Sequence, residues 1–199
     1  GKIFAQLWHV GRMSHVSIQP GNAAPVSAGV VPAPGTTVYA FTDEGQPGPV
    51  APSAPRALTT GEVHRVTQDF VASARLAMEA GFDGIELMAA NAFLFDQFLS
   101  SELNSRTDQY GGSIQNRMRF LLETVDALAD AIGGARVGVR ISPFGRLYDF
   151  KPFAQEAETW MQVASALDER ELAFVHLNYQ PTITAAEVPA GFRAGFPKA

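Results

Sequence analysis

Gly81-Phe-Asp-Gly-Ile-Glu-Leu-Met88 lies between two helical patterns, and its reading decides the fold. Gly81 is a natural helix stop, because the position after a helix favours the left-handed backbone that glycine adopts at least cost. Residues 82–88 then read as a short buried strand. Upstream, Thr59 and Glu62 have capping-box spacing. Val63, Val66, Phe70, Ala74 and Ala77 recur every three or four residues, which makes one apolar helix face. Downstream, a polar loop covers 104–112, and a second helix starts near Ser113. Met118, Leu121, Leu122, Val125, Leu128, Ala129 and Ile132 form its buried stripe, and Gly133-Gly134 ends it. Arg136-Val-Gly-Val-Arg-Ile-Ser142 is a further strand closed by Pro143. A weaker helical pattern covers 153–168, and Ala173-Phe-Val-His-Leu-Asn178 reads as the last strand. Residues 2–8 form the first. Helices alternating with short apolar strands imply a parallel sheet with crossover helices.

Two closures compete, an open doubly wound sheet and a (β/α) barrel. No GxGxxG turn follows any strand, which weakens the dinucleotide-binding option. Polar residues gather at the C-terminal strand ends: Trp8 with His9, Asn91, Arg140 with Ser142, and Asn178. Barrels place their chemistry at that rim. About four strands are present where a closed barrel has eight, so the expectation is an α/β chain forming half a barrel. Residues 1–199 are read as one partial barrel domain. Prolines 20, 25, 32, 34, 47, 49, 52 and 55 break the stretch between the first strand and the first helix, which excludes a long helix there. A β-branched piece at 36–39 suits an edge hairpin. An excursion this long, taken as residues 16–58, is usually a lid or binding loop, against the plainer reading of a solvated linker.

The 199 residues carry 15 Lys+Arg against 20 Asp+Glu, a net charge of −5, with 46% apolar residues and no cysteine. Disulfides, thiolate metal sites and a cysteine nucleophile are excluded together. The mild acidity argues against a nucleic-acid partner, and no apolar run reaches the roughly 20 residues of a membrane span. The chain begins at Gly1 and enters a strand at once, with no charged-then-apolar leader. It therefore reads as a piece cut from a longer protein or as a mature product of processing, with a cytoplasmic location expected.

Gln6 and Trp8 share a strand face, offering a two-sided amide and a flat apolar wall. Arg140 interrupts an apolar strand. A buried guanidinium is costly unless an anion or several acceptors meet it, so it serves either a bound anionic group or an ion pair, with Glu86 as candidate partner. Asn91 is by default a turn residue. His9, His15, His64 and His176 show no ligand spacing, so no metal is expected. Neither GxSxG nor a P-loop occurs.

Several ordered motifs carry a resemblance. Gln6-Leu-Trp-His-Val-Gly-Arg12, Ala51-Pro-Ser53, Ala80-Gly-Phe-Asp-Gly-Ile-Glu86, Asp96-Gln-Phe-Leu99, Asn104-Ser-Arg-Thr-Asp-Gln-Tyr-Gly-Gly-Ser113, Asn116-Arg117 and Val139-Arg-Ile-Ser-Pro143 resemble the old yellow enzyme family of flavin oxidoreductases. The resemblance runs nearly end to end. It implies a TIM (β/α)8 barrel holding FMN at its C-terminal rim, of which this chain covers about the third to sixth strands. It also implies NAD(P)H as electron donor and an activated alkene such as an enone as substrate. Gln6 and Arg140 match the family's flavin contacts, and Trp8 matches a residue shaping the substrate pocket.

The family's oxygen-binding His and Asn and its proton-donating Tyr align with Met88, Asn91 and Phe93. Met88 cannot donate, Phe93 has no proton, and only Asn91 survives as a substrate contact. Reduction of ordinary enones is expected to be impaired or repurposed. The alternatives are a redox-neutral isomerase or cyclase of a natural-product pathway, and a non-catalytic half-barrel pseudoenzyme or partner subunit. In the resembled fold the FMN phosphate is held beyond residue 199, so weak or absent FMN binding is expected. The open barrel edges suggest a homo-oligomer or a complementing chain.

Overall fold

The computed structural model of the protein describes residues 1–178. The first strand, β1 (Phe4–Leu7), leads into the 16–58 excursion, which carries β2 (Val26–Ser27), β3 (Val38–Phe41), β4 (Pro47–Val50) and β5 (Arg56–Ala57). β2 pairs in parallel with β5, and β3 forms an antiparallel hairpin with β4, close to the β-branched run at 36–39. Pro47 and Pro49 are tolerated because this sheet has only two strands, so each strand has an edge where a missing N–H breaks no ladder bond.

α1 (Thr60–Glu79) starts on the expected capping box. Thr59 Oγ1 accepts the Glu62 N–H at 3.2 Å, and Glu62 Oε2 accepts the Thr59 N–H at 2.8 Å. Its buried residues include the five of the apolar face. Then follow β6 (Gly84–Ala89), α2 (Leu94–Leu99), α3 (Ile114–Ile132), β7 (Val137–Ile141), α4 (Glu156–Asp168) and β8 (Phe174–Leu177). α2 is absent from the sequence reading. All six of its residues are buried, so no polar face marks a helical period.

β1, β6, β7 and β8 pair in that order, all in parallel. The spatial order follows chain order without reversal. A doubly wound sheet reverses at its switch point, whereas neighbouring strands of a barrel arc do not. Alternation gives the arc two faces. Ala5, Leu7, Ile85, Leu87, Ala89, Val137, Val139, Ile141, Val175 and Leu177 join the main core beneath the helices. Phe4, Gln6, Gly84, Glu86, Met88, Gly138, Arg140, Phe174 and His176 take the opposite face. At its N-terminal end the Phe4 and Phe174 rings meet edge to face, 5.2 Å between centroids. Gly84 and Gly138 make room for them. A Cβ at either glycine would lie 2.3 Å from the Phe4 or the Phe174 ring. Apolar rings thus fill the bottom of this face, and its polar residues stand at the C-terminal rim.

Candidate active site

Strand register brings the rim residues together. Gln6 lies opposite Glu86, Met88 opposite Arg140, and Arg140 opposite His176. Gln6 and Arg140 therefore share one face, separated by β6. Gln6 Nε2 donates to Glu86 Oε1 at 2.5 Å, and the other Glu86 oxygen lies 2.8 Å from His176 Nδ1. The sequence reading allowed Glu86 as the ion partner of Arg140. The structure corrects this, since Glu86 is held by Gln6, directly opposite on β1, and by His176, which reaches it from β8 across β7. Arg140 Nη2 instead donates to the neutral amide of Asn178, reaching Oδ1 at 2.9 Å, and Asn178 Nδ2 donates to Asn91 Oδ1 at 2.5 Å. Arg140 Nε is buried without a partner among the described residues.

Asn91 sits on a strained turn. It and Ala92 both have φ of 61°, which turns the chain from β6 into α2. Non-glycine residues rarely adopt this conformation, and buried groups hold it here. The Asn91 N–H donates to Ser142 Oγ at 2.7 Å and the Ala92 N–H to Asp96 Oδ2 at 2.8 Å. Ser142 Oγ also donates to Asp96 Oδ2 at 3.2 Å, and Gln97 Nε2 donates to the Ala92 carbonyl at 2.7 Å. Burial pushes the Asp96 carboxyl up to about 7, partly offset by the Ala92 N–H and the Ser142 hydroxyl. Sequence reasoning gave Asp96 no role. Its signal was a carboxylate inside an apolar run, in a helix that was itself missed.

Met88 and Phe93 lie in a small apolar cluster with Met13, Ala33 and Ala90, against which Val10 and Val38 pack. Ala33 and Val38 belong to the 16–58 excursion, which therefore covers this corner of the rim. The Trp8 ring meets Phe93 edge-on at 5.1 Å, and Tyr148, from the loop after β7, stacks on Phe93 at 5.7 Å. Tyr148 was not singled out by sequence, because its loop shows no period. His9, whose Nδ1 accepts the Gly11 N–H at 3.1 Å, is pushed below its usual pKa by burial. Among the described residues no three His, Cys, Asp or Glu side chains converge as metal ligands, and no helix is long and apolar enough to cross a membrane.

Comparison with known proteins gives consistent matches. The sequence model of the NADH:flavin oxidoreductase / NADH oxidase family matches residues 1–193. The chain is 39% identical over 190 residues to 12-oxophytodienoate reductase 2 of Arabidopsis thaliana, covering 96% of this chain and 49% of that protein. It is 40% identical over 183 residues to putative 12-oxophytodienoate reductase 11 of Oryza sativa subsp. japonica, covering 89% and 47%. Morphinone reductase in complex with tetrahydroNAD superposes with a TM-score of 0.92 at 41% identity, covering 98% of this chain and 53% of that one. The chain thus spans about half the length of these relatives.

Proposed function

The chain belongs to the NADH:flavin oxidoreductase / NADH oxidase family, the old yellow enzyme family, and on that premise we propose that its four-strand arc is the flavin- and substrate-facing part of an FMN-dependent ene-reductase barrel with altered acid chemistry. One observation carries the reading. Arg140 and Gln6 share the inner face at the rim, and Arg140 keeps a buried donor without a partner among the described residues. A buried orphan donor is costly and calls for an acceptor. The N1 and O2 edge of a flavin is electron-rich and accepts hydrogen bonds, so it fits. The Gln6 amide fits as well. Glu86 only accepts, so Gln6 turns its NH2 toward it, and among the described residues its Oε1 remains to accept an N–H.

FMN held by Gln6 and Arg140 would, when reduced by NAD(P)H, supply hydride chemistry toward an activated alkene. The chain's own residues do the rest. The Arg140 guanidinium stabilises negative charge at the electron-rich flavin edge, Gln6 fixes ring orientation, and Asn91 donates to the alkene's activating oxygen. The Trp8 and Phe93 rings, in edge-on contact, offer the substrate an apolar wall. Met88 gives that oxygen no second donor, and Phe93 gives the substrate carbon no proton. Losing an oxyanion-stabilising donor costs about 10² to 10³ in rate, and losing a general acid about 10² to 10⁴. Reduction of simple enones is therefore slow.

The dry cluster around Met88 and Phe93 favours a second reading, a redox-neutral isomerisation or cyclisation of an apolar substrate. Among the described residues β1 and β8 are each paired on one side only. Such edges invite pairing, and on this reading further strands or another copy cover them.

The test is flavin uptake. The resemblance places the phosphate holder beyond residue 199, so uptake is weak, but purified chain mixed with a large excess of FMN should still show the shifted absorbance and altered fluorescence of a bound flavin, and Arg140→Met should lose most of that affinity. A protein that leaves FMN spectroscopically free defeats the proposal. With FMN bound, steady NAD(P)H consumption at the rates of an ordinary enone reductase would overturn the altered-acid reading. A product isomeric with its substrate would favour the redox-neutral one.

A further inference from the structure

We propose that Asn178 is a positioning residue that fixes the hydrogen-bonding polarity of Asn91, so that the site takes ligands presenting an acceptor oxygen, such as a carbonyl or nitro group, at Asn91. The inference deepens the flavin-site reading and rests on it for the place of the ligand. The Arg140 guanidinium carries donors and no acceptor. The Asn178 atom lying 2.9 Å from Arg140 Nη2 is therefore the oxygen. That choice turns the Asn178 NH2 toward Asn91, where the partner atom, 2.5 Å away, must accept. The Asn91 carbonyl oxygen is thereby occupied, and its NH2 is the half of the amide left for a ligand. Reversing Asn178 would set NH2 against guanidinium, and reversing Asn91 alone would set NH2 against NH2. An amide whose orientation is ordinarily ambiguous is here set by a fixed positive charge two residues away along the chain of bonds.

The backbones on both sides are anchored, so the relay cannot relax by moving the chain. The Asn178 N–H donates to the Ile141 carbonyl at 2.8 Å and holds Asn178 beside β7. The Asn91 N–H is held by Ser142 at 2.7 Å, in the left-handed turn. Met88, the rim residue opposite Arg140, has no donor to replace Asn91. The acceptor preference of this corner thus depends on one amide and on the residue that orients it.

Two measurements test this with Asn178→Asp and Asn178→Leu. On the chain alone, side-chain amide NMR should show the Asn178 NH2 protons exchanging slowly, while those of Asn91 exchange freely. Equal, fast exchange at both would overturn the relay whether or not flavin binds. On the FMN-loaded protein, calorimetry with acetophenone and with α-methylstyrene, near-isosteres with and without an acceptor oxygen, should give acetophenone an advantage of about tenfold. In Asn178→Asp the new carboxylate can only accept. Asn91 must then turn its NH2 toward position 178 and present its oxygen, which abolishes the advantage. In Asn178→Leu, Asn91 turns freely and the advantage shrinks. Asp differs from Asn by one atom, and matching thermal unfolding would show the fold intact, so a merely structural role would leave the probe preference unchanged. That result, an unchanged preference in Asn178→Asp, would refute the assignment. Failure to take up FMN would instead refute the flavin-site reading.

Discussion

Phe93 carries the clearest residue-scale consequence. Its ring lies between Trp8 and Tyr148 in an apolar corner, and on the proposed reading it takes the place of the family's proton donor. In FMN-loaded protein, Phe93→Tyr should raise the rate of cyclohex-2-enone reduction at least tenfold, short of the full 10² to 10⁴ of a general acid because Met88 still donates nothing. Stopped-flow flavin reoxidation by the enone measures this, and an unchanged rate would count against the proposed substrate position. Asp96 makes a second prediction, on stability. Its carboxyl titrates near 7 in the folded chain against about 3.9 in the unfolded one. Between those values the folded state holds a proton that the unfolded state has released. The stability it contributes is complete below about pH 4 and is lost as pH rises through about 7, with a ceiling of roughly 4 kcal/mol. Asp96→Asn should therefore gain in urea stability relative to the parent between pH 5 and pH 8. A difference constant with pH would mean that Asp96 is already ionised in the folded protein. Arg140 was legible as an anomaly in its strand, and Gln6 with Trp8 by alternation. Asn178 was legible only as a polar strand end, because its partners come from register across β7 and β6.

The same distinction holds for whole elements. α1 was readable because one face is apolar and its cap is written in Thr59 and Glu62, and β6 and β7 because short apolar runs sit between glycine and proline stops. α2, wholly buried, and the two-residue strands β2 and β5 leave no periodic trace. The glycines of β6 and β7 carry no signal of their own in the strand pattern, yet they shape the inner face. A Cβ on Gly84 would lie 2.3 Å from Phe4 Cε1 and 2.5 Å from the Arg136 carbonyl oxygen, whereas one on Gly138 would meet only the Phe174 ring among its three nearest atoms. A ring can turn, but a backbone carbonyl inside a sheet cannot. Gly84→Ala should thus cost more than Gly138→Ala, about 3 kcal/mol against about 1 to 2. Phe174→Leu should rescue Gly138→Ala, while Phe4→Leu should only partly rescue Gly84→Ala. Urea denaturation of the four variants decides this, and equal costs would show that the Arg136 carbonyl is free to move.

Over the whole molecule, the excursion and the rim are coupled through Arg12, 1% exposed. Its Nη1 donates to the carbonyls of Val31 and Pro32, at 3.3 and 2.6 Å, and its Nη2 to those of Tyr148 and Asp149, both at 3.3 Å. One guanidinium therefore joins the segment after β1, the 16–58 excursion and the loop after β7, which bears the ring stacked on Phe93. Burial lowers the Arg12 pKa, with the charge of Asp149 opposing, but an arginine so far above neutrality stays cationic. This clamp left no mark in the sequence, because its partners are backbone carbonyls 19 to 137 positions away. A planar fork reaching two pairs of acceptors has no lysine equivalent. Arg12→Lys should keep one pair and abandon the other, at a cost of about 2 to 3 kcal/mol. Arg12→Leu should lose both, at about 3 to 5 kcal/mol. The clamp has a local consequence as well. In Arg12→Lys, hydrogen exchange and limited proteolysis should rise at 30–41 and 146–151 together, while the amides of β6 and β7 keep their protection. Loosening of one loop without the other would mean that Arg12 supports each separately. Uniform loss of protection across the sheet would place it in the core rather than at the junction over the site.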